Sequence, residues 1–215
     1  MHLDRQIDSA IYTIGHSNQP LSSFLSLLAQ YGITAVADVR SHPRSRTNPQ
    51  FDQNALKKEL EKVNIAYAFL GKQLGARSED ADCYKNRRVQ YECLASTESF
   101  RDGLLRLRRG MEKYRVALMC AEAEPLDCHR AILISRHLRE LDIPVKHILR
   151  NGRLEHHEES IERLLGLLDI HENLVLRTRA ELIAEGYRVQ GERIAYELPA
   201  AEDGKQQLKS VAKAR

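Results

Sequence analysis

The chain has 215 residues, of which 42% are apolar and 29% are charged. This composition is typical of a globular protein, and the length predicts one domain with a small extension. No apolar stretch approaches the roughly 18 residues that a membrane span requires, and the polar start does not resemble a signal peptide. We therefore expect a cytoplasmic protein with no membrane partner.

The net charge of +3 is concentrated at the end of the chain. Residues 200–215 contain four basic and two acidic side chains and few apolar ones. We expect this segment to be a disordered basic tail. The rest of the chain is nearly neutral, so its charge alone does not predict a basic groove for nucleic acid.

Four cysteines occur in the chain, at positions 83, 93, 120 and 128. Disulfide frameworks are typical of small secreted domains, and this sequence carries no secretion signal. The cysteines are therefore predicted to be thiols in a reducing compartment.

Strands and helices alternate along the first 150 residues. The predicted strands are residues 11–14, 33–39, 65–70, 116–119 and 144–149. Predicted helices follow Pro20, Asp52 and Asp127, and a further helix carries Phe100, Leu104, Leu107 and Met111 on one face. This alternation predicts a Rossmann-like three-layer α/β domain over residues 1–156, with a mostly parallel sheet of about five strands and right-handed crossovers.

Three further segments have their own signals. Residues 71–90 are polar and contain glycine, which favours a functional or mobile loop. The dipeptide Asn151-Gly152 predicts a tight hairpin. Two helices, at about 158–168 and 172–185 with Gly186 ending the second, are expected to form an extension over residues 157–199 that packs on the domain.

The most informative stretch follows the apolar run at 116–119, which reads as a strand buried on both faces. It brings Cys120, Glu122, Cys128, His129 and Arg130 between a strand's carboxyl end and a helix's amino end. In open α/β sheets ligands bind at that edge, and a helix amino end favours anions.

These side chains permit several kinds of chemistry. A helix amino end and the neighbouring Arg130 favour a thiolate at Cys128, which suits a nucleophile or a metal ligand. Glu122 is a candidate for proton transfer if partial burial raises its pKa. The alternatives are that Cys120 is a small core residue, that Glu122 is a surface carboxylate and that Arg130 pairs internally with Asp38 or Glu122 instead of a ligand phosphate.

Two other predicted strands also end in polar residues, which suggests that a single site forms where the strand ends converge. His16 follows the first strand and is either an acid, base or ligand, or a structural histidine. Arginines at 44, 46, 77, 87 and 88 favour phosphate binding, although solvated loops explain them equally simply. The predicted catalytic residues are Cys120, Glu122, His16 and Cys128, and the predicted ligand-binding residues are Gly15, Ser17, Asp38, Arg40, Ser45, His129 and Arg130.

Four groups of residues resemble the bacterial family named domain of unknown function 488. They are Tyr12-Thr13-Ile14-Gly15-His16-Ser17-Asn18; Asp38-Val39-Arg40 with Pro43, Ser45, Pro49 and Phe51; Leu70-Gly71 with Leu74-Gly75; and Met119-Cys120-Ala121-Glu122 with Pro125 and Cys128-His129-Arg130. The resemblance covers about residues 10–160. It implies a Rossmann-like domain with a site built from the matched residues, but it supplies no substrate. The chain departs from the pattern at Lys72-Gln73 and Ala76, which affects the shape of the loop.

The sequence thus predicts an enzyme, a hydrolase or transferase, that acts on a small phosphorylated or nucleotide-like ligand. One alternative is a nucleic-acid-associated protein that uses its arginine-rich loops. The other is a zinc or iron protein with Cys120, Cys128, His129 and His16 as ligands. Neither a cofactor nor an oligomeric state is predicted.

Overall fold

A computed structural model describes residues 10–171 and 177–199. Its centre is a six-stranded sheet in the order β3-β2-β6-β1-β7-β8, in which β8 alone pairs antiparallel. The strands are β1 (Ile11–Gly15), β2 (Ala35–Asp38), β3 (Ala66–Phe69), β6 (Val116–Cys120), β7 (Val145–Ile148) and β8 (Leu154–His156). The mostly parallel sheet is confirmed, and the hairpin at Asn151-Gly152 adds the sixth strand.

Helices cover both faces of this sheet, which gives the predicted three-layer α/β architecture. Successive residues of a strand point to opposite faces, so Ile11 and Tyr12 belong to different core clusters. The helices are α1 (Leu21–Gln30), α2 (Gln53–Lys62), α3 (Gly71–Leu74), α4 (Tyr91–Ser96), α5 (Glu98–Met111), α6 (Arg136–Glu140), α7 (His157–Leu167) and α8 (Arg179–Ile194). Helices α1 and α2 pack on the Tyr12 face, and α5 and α6 pack on the Ile11 face.

The three central strands are buried along their whole length, which the continuous apolar run at 116–119 predicted for β6. Strand β6 lies between β1 and β2. In the paired registers Gly15 stands opposite Cys120, and Asp38 stands opposite Met119. The carboxyl ends of the three strands therefore meet at one edge of the sheet.

The segment 71–90 is not a plain loop. It contains α3 and a small antiparallel hairpin of β4 (Tyr84–Lys85) and β5 (Arg88–Val89). A disulfide joins Cys83, at the start of the hairpin, to Cys93 in α4. The prediction of four thiols is therefore wrong for these two cysteines, because the hairpin folds back and brings their Cα atoms within 5.3 Å.

Two predicted helix ends also differ from the structure. Asp127 does not cap a helix; it lies in a 3-10 turn, Pro125–Asp127, whose capping carboxylate is Glu124. The helical segment begins later, as a π-helix at Arg130–Ser135 that continues into α6. Helix α8 does not end at Gly186 but continues to Ile194. Gly186 instead lets α7 pack closely on α8, since a Cβ atom at this position would lie 3.0 Å from Leu165 Cδ2.

The two C-terminal helices share a third apolar cluster with the turn and π-helix after β6. Its buried members are Leu126, Ile132, Ile161, Leu164 and Tyr187. The domain division at residue 156 stays a prediction. The predicted start of the last helix at residue 172 and the tail at 200–215 lie outside the described residues. Within those residues, no helix is long and apolar enough to cross a bilayer.

A chain of buried hydrogen bonds connects the sheet to this C-terminal part. Thr13 Oγ1 lies 2.7 Å from His147 Nδ1, His147 Nε2 lies 2.9 Å from His157 Nδ1, and His157 Nε2 lies 2.8 Å from the hydroxyl of Tyr187. Burial lowers the pKa of His157 to about 4 and that of His147 well below its usual value. Both imidazoles are therefore neutral in the folded protein near pH 7.

The neutral histidines predict that acid weakens the fold. Between pH 6.5 and about 4 the unfolded chain binds a proton at His157 that the folded chain does not, so the free energy of unfolding falls as the pH falls. His157→Gln should reduce this slope by about 1.4 kcal/mol per pH unit. Urea unfolding of both proteins between pH 4 and pH 7 measures the difference; equal slopes would contradict the neutral state of His157.

Candidate active site

A cavity of about 420 Å³ opens at the edge of the sheet where β1, β2 and β6 end. Seven of the eleven predicted site residues line it, namely His16, Arg40, Ser45, Cys120, Glu122, Cys128 and His129. The cavity walls also include residues from the loops after β2 and α3, from α4 and from the end of α8. The predicted convergence of distant segments on one space is therefore present in the fold.

Four side chains at the floor of this cavity form what we call the thiol cluster: Cys120, Glu122, Cys128 and His129. The Cys120 and Cys128 thiols lie 2.9 and 3.1 Å from the same oxygen, Oε2 of Glu122, and donate to it. His129 Nδ1 lies 3.7 Å from the Cys120 sulfur and 3.8 Å from the Cys128 sulfur. Three of the four side chains are buried, and Glu122 faces the opening.

The orientation of His129 follows from its second nitrogen. Nε2 lies 3.1 Å from the carbonyl oxygen of Val39, which can only accept, so Nε2 carries a proton. In the neutral imidazole the lone pair is then on Nδ1, which points at both sulfurs. The residue that follows β2 thus orients a histidine that lies ninety residues later in the chain.

The cluster shifts the acidity of each of its members. The hydrogen bond with Cys128, together with burial, raises the pKa of the Cys120 thiol. Removal from water and the nearby Cys128 sulfur raise the pKa of Glu122. Burial opposes ionisation of Cys128, but its contact with Cys120 and the positive charges of Arg130 and His129 lower its pKa overall. These contacts therefore disfavour ionisation of Cys120 and Glu122 and favour ionisation of Cys128.

Arg130 lies behind the cavity wall and is completely buried. Among the described residues, neither Asp38 nor Glu122 forms an ion pair with it through a carboxylate. Its guanidinium instead donates to the backbone carbonyls of Glu122 and Ala123, at 2.7 and 2.9 Å. Gly15 lies against the same loop, because a Cβ atom there would stand 1.8 Å from the Glu122 carbonyl oxygen. Both residues fix the loop that carries Glu122.

A second buried network sets the cavity wall beside β2. Asp38 accepts two hydrogen bonds from the Arg40 guanidinium, at 2.9 and 2.6 Å, and one from the Tyr67 hydroxyl at 2.7 Å. Arg40 also donates to His16 Nε2 at 3.1 Å, so the His16 proton is on Nδ1 and faces the Ser17 carbonyl. Burial lowers the pKa of His16 to about 4. With both ring nitrogens engaged, this neutral histidine supports the wall.

Among the remaining predicted ligand-binding residues, Asp38 and Ser17 also lie outside the cavity lining. Ser17 adopts a left-handed backbone with φ of 45° and donates its N–H to the Ala121 carbonyl at 2.8 Å. Ser45 does line the cavity; its N–H donates to Asp52 Oδ1 at 2.7 Å. The Asp52 side chain was expected to cap α2. It accepts this bond instead and makes no capping bond to the helix.

One wall of the cavity was not predicted. Tyr91 from α4, and Ile194 and Tyr196 from the end of α8, give the cavity an apolar and aromatic side. The segment Val89-Gln90-Tyr91-Glu92 and the C-terminal extension also resemble longer members of the family, but this resemblance did not assign any of the three residues to the site. Nothing in the pattern of the last 30 residues indicates that Ile194 and Tyr196 return to the sheet edge.

A comparison with protein families identifies one family. The model of the family described as Domain of unknown function DUF488 matches residues 20–137. The chain belongs to this family. The part of the DUF488 protein that matches contains the whole thiol cluster and Arg40, whereas α8 and the Ile194–Tyr196 wall lie beyond it. No curated protein and no solved structure matches the chain.

The contact between Gly15 and the Glu122 loop yields a prediction. In Gly15→Ala the new methyl group collides with backbone, so the loop must move, and the protein should lose about 1–3 kcal/mol of unfolding free energy. The matched control is Gly166→Ala in α7, where a Cβ atom meets nothing within 4 Å and a gain of up to about 1 kcal/mol is expected. Urea unfolding compares the two; equal effects would exclude close packing at Gly15.

Proposed function

We propose that this DUF488 protein is an enzyme, a hydrolase or transferase, that acts on a small phosphorylated or nucleotide-like ligand in the cavity above the thiol cluster. The observation that carries the proposal is the arrangement of one cavity: proton-donating and sulfur groups on its floor, cations at its mouth and aromatic rings on one side. Enzyme sites combine these elements in a concave pocket, where a few polar groups orient a ligand against apolar walls.

The cations at the mouth support an anionic ligand. Arg44 and Arg77 line the cavity and are exposed to solvent. Among the described residues neither has a carboxylate partner, in contrast to Arg40, which is paired with Asp38. Guanidinium groups bind phosphate oxygens through paired, charge-assisted hydrogen bonds, so these two arginines suit a phosphate group.

The aromatic wall supports a planar group on the same ligand. The Arg77 guanidinium stacks over the Tyr196 ring, 4.1 Å from its centroid, which fixes the cation beside the ring. Tyr91 lies on the same wall, close enough to the thiol cluster that the nearby acidic groups and, above all, burial raise its pKa. Aromatic faces stack on nucleobases, so this side of the cavity fits the base of a nucleotide.

The reactive end of the cavity is the thiol cluster. Glu122 is the best placed group for proton transfer, because its carboxyl faces the opening and its raised pKa brings it closer to neutral pH. His16 was also predicted to be catalytic. We infer that it has a positioning role, since Arg40 and Ser17 engage both of its nitrogens.

The nucleic-acid alternative has weaker support. Arg87 and Arg88, two of the arginines on which it depends, form ion pairs with Glu197. These pairs tie the β4–β5 hairpin to the segment after α8 and partly neutralise that surface. A concave cavity of about 420 Å³ also suits a small ligand better than a strand of phosphates. Binding to nucleic acid stays a prediction that no observation on this surface favours.

The ligand proposal predicts that the arginines at the mouth dominate affinity. The variants Arg44→Ala and Arg77→Ala should each bind AMP at least about tenfold more weakly, since a hydrogen bond to a charged group contributes about 1.5–3 kcal/mol. The matched control is Arg106→Ala, an exposed arginine on α5 away from the cavity. Calorimetric titration with AMP measures the change. If the Arg44 and Arg77 variants bind AMP as tightly as the Arg106→Ala control, the assignment of the mouth is overturned.

The assignment of Glu122 gives a separate prediction. Glu122→Gln keeps the size of the side chain but removes its transferable proton, so kcat should fall by about 10²–10⁴-fold with little change in KM. The assay is a panel of nucleoside phosphates and simple phosphate esters followed by release of phosphate. Glu124→Gln is the control, because Glu124 caps the 3-10 turn and pairs with Arg163. Equal losses in both variants would refute a catalytic Glu122.

A further inference from the structure

We propose that Cys120, Cys128 and His129 bind one zinc ion, through their two sulfurs and through Nδ1, and that the fourth coordination position opens into the cavity beside Glu122. The inference deepens the proposed function and rests on it for the role of the metal, since the zinc would lie at the reactive end of the same cavity. The binding of the ion itself depends only on the three side chains.

The distances between the three ligand atoms fit a tetrahedral zinc site. The two sulfurs and Nδ1 all lie within 4.8 Å of one another, and the sulfur–nitrogen separations are 3.7 and 3.8 Å. Zinc bonds of about 2.3 Å to sulfur and 2.0–2.1 Å to nitrogen in tetrahedral geometry place such atoms about 3.6 Å apart. The ion therefore fits after small side-chain movements. Thiolate and imidazole ligands also favour zinc over hard cations such as magnesium.

His129 has the hydrogen bond that metal-binding histidines usually make. Its Nε2–H donates to the Val39 carbonyl at 3.1 Å, which leaves the Nδ1 lone pair directed at the sulfurs. Histidine ligands commonly donate their other N–H to a carbonyl or carboxylate, because this bond fixes the ring and its tautomer. The Val39 carbonyl thus preorganises the imidazole as a ligand.

The electrostatics of the thiol cluster give an independent reason for a cation. The Cys120 and Cys128 sulfurs both lie within hydrogen-bonding distance of one carboxylate oxygen of Glu122. The nearby guanidinium of Arg130 is directed to backbone carbonyls. Two thiolates beside a carboxylate place like charges side by side, and a divalent cation offsets them. A divalent ion compensates two thiolates, whose protons pass to the solvent when it binds.

The set of three ligands leaves one position open to the cavity, as in catalytic zinc sites. Bound there, zinc supplies a Lewis acid and lowers the pKa of a coordinated water. Glu122 stands next to this position with its carboxyl oxygen near both sulfurs and is placed to accept a proton from it. Because its two nitrogens are engaged, His16, the fourth ligand considered from the sequence, is not part of the set.

A different use of the same atoms is an ion pair of a Cys128 thiolate with a His129 imidazolium, which would make Cys128 a nucleophile. The two uses differ in what they require. The ion pair needs one sulfur and no metal, whereas zinc needs both sulfurs and the unprotonated Nδ1. Titration of the full-length protein with Co²⁺ distinguishes them, because cobalt takes the place of zinc and reports its ligands in absorption spectra.

The experiment uses full-length protein, made metal-free with a chelator and then titrated anaerobically with Co²⁺. We expect a 1:1 complex with thiolate-to-cobalt charge-transfer bands and the intense visible bands of tetrahedral cobalt, both lost on adding one equivalent of Zn²⁺. Folded wild-type protein that gives no thiolate charge-transfer band would overturn the proposal, whatever the variants do.

Single variants then test the ligands. Cys120→Ser, Cys128→Ser and His129→Ala should each weaken cobalt binding at least tenfold, with circular dichroism confirming the fold. Two controls should bind like wild type: the double variant C83S/C93S, which removes only the disulfide, and His137→Ala in α6. Glu122→Gln should retain one tetrahedral metal ion. Loss of the metal in that variant would show a closed four-ligand site and overturn the open position.

The failure of this inference and that of the proposed function are distinguishable. Titration of AMP into metal-free protein measures the affinity that the arginines at the cavity mouth provide without the metal. The Arg44 and Arg77 variants should lose AMP affinity and keep cobalt, whereas Cys128→Ser should lose cobalt and keep AMP affinity. AMP binding without cobalt binding would contradict the metal site only, and cobalt binding without AMP binding would contradict the ligand proposal only.

Discussion

The site depends above all on the two hydrogen bonds from the Arg130 guanidinium to the carbonyls of Glu122 and Ala123. A fully buried charge is costly unless its donors are satisfied, and here the loop after β6 satisfies them with backbone dipoles. The same bonds hold that loop against Gly15, where only a hydrogen atom fits. Glu122 is thereby fixed above the two sulfurs while its carboxyl group stays open to the cavity.

In the cavity wall beside β2, buried charged side chains also hold their neighbours in place. Asp38 fixes Arg40, and Arg40 fixes the tautomer of His16, whose ring stacks on Phe51 with centroids 4.3 Å apart. Each of these buried groups is hydrogen-bonded to or stacked on another of them, so together they form one wall of the cavity. Among the residues that line the cavity, Glu122 on the floor and Arg44 and Arg77 at the mouth remain exposed.

The C-terminal helices complete a cavity whose thiol cluster lies in the part matched by the DUF488 family. Helix α8 passes the turn after β6, where the Gln190 amide donates to the Leu126 carbonyl at 2.9 Å. The chain then brings Ile194 and Tyr196 to the cavity, and Glu197 ties it to the β4–β5 hairpin. The thiol cluster on the floor and the Ile194–Tyr196 part of the wall therefore come from different parts of the chain.

Local sequence determined the alternation of strands and helices and the polar strand ends, because burial on two faces requires continuous apolar runs and parallel strands bring their ends to one edge. It did not determine which polar residues face the cavity. In the sequence, Arg130 and Gly15 have the residue type and the place at an element end that are expected of ligand-binding residues. Only the folded loop shows that both of them contact the backbone of the segment that carries Glu122. The Cys83–Cys93 disulfide and the Tyr196 wall depend on contacts between distant segments. The tertiary structure alone decides such contacts, because residue spacing along a chain does not fix distance in space.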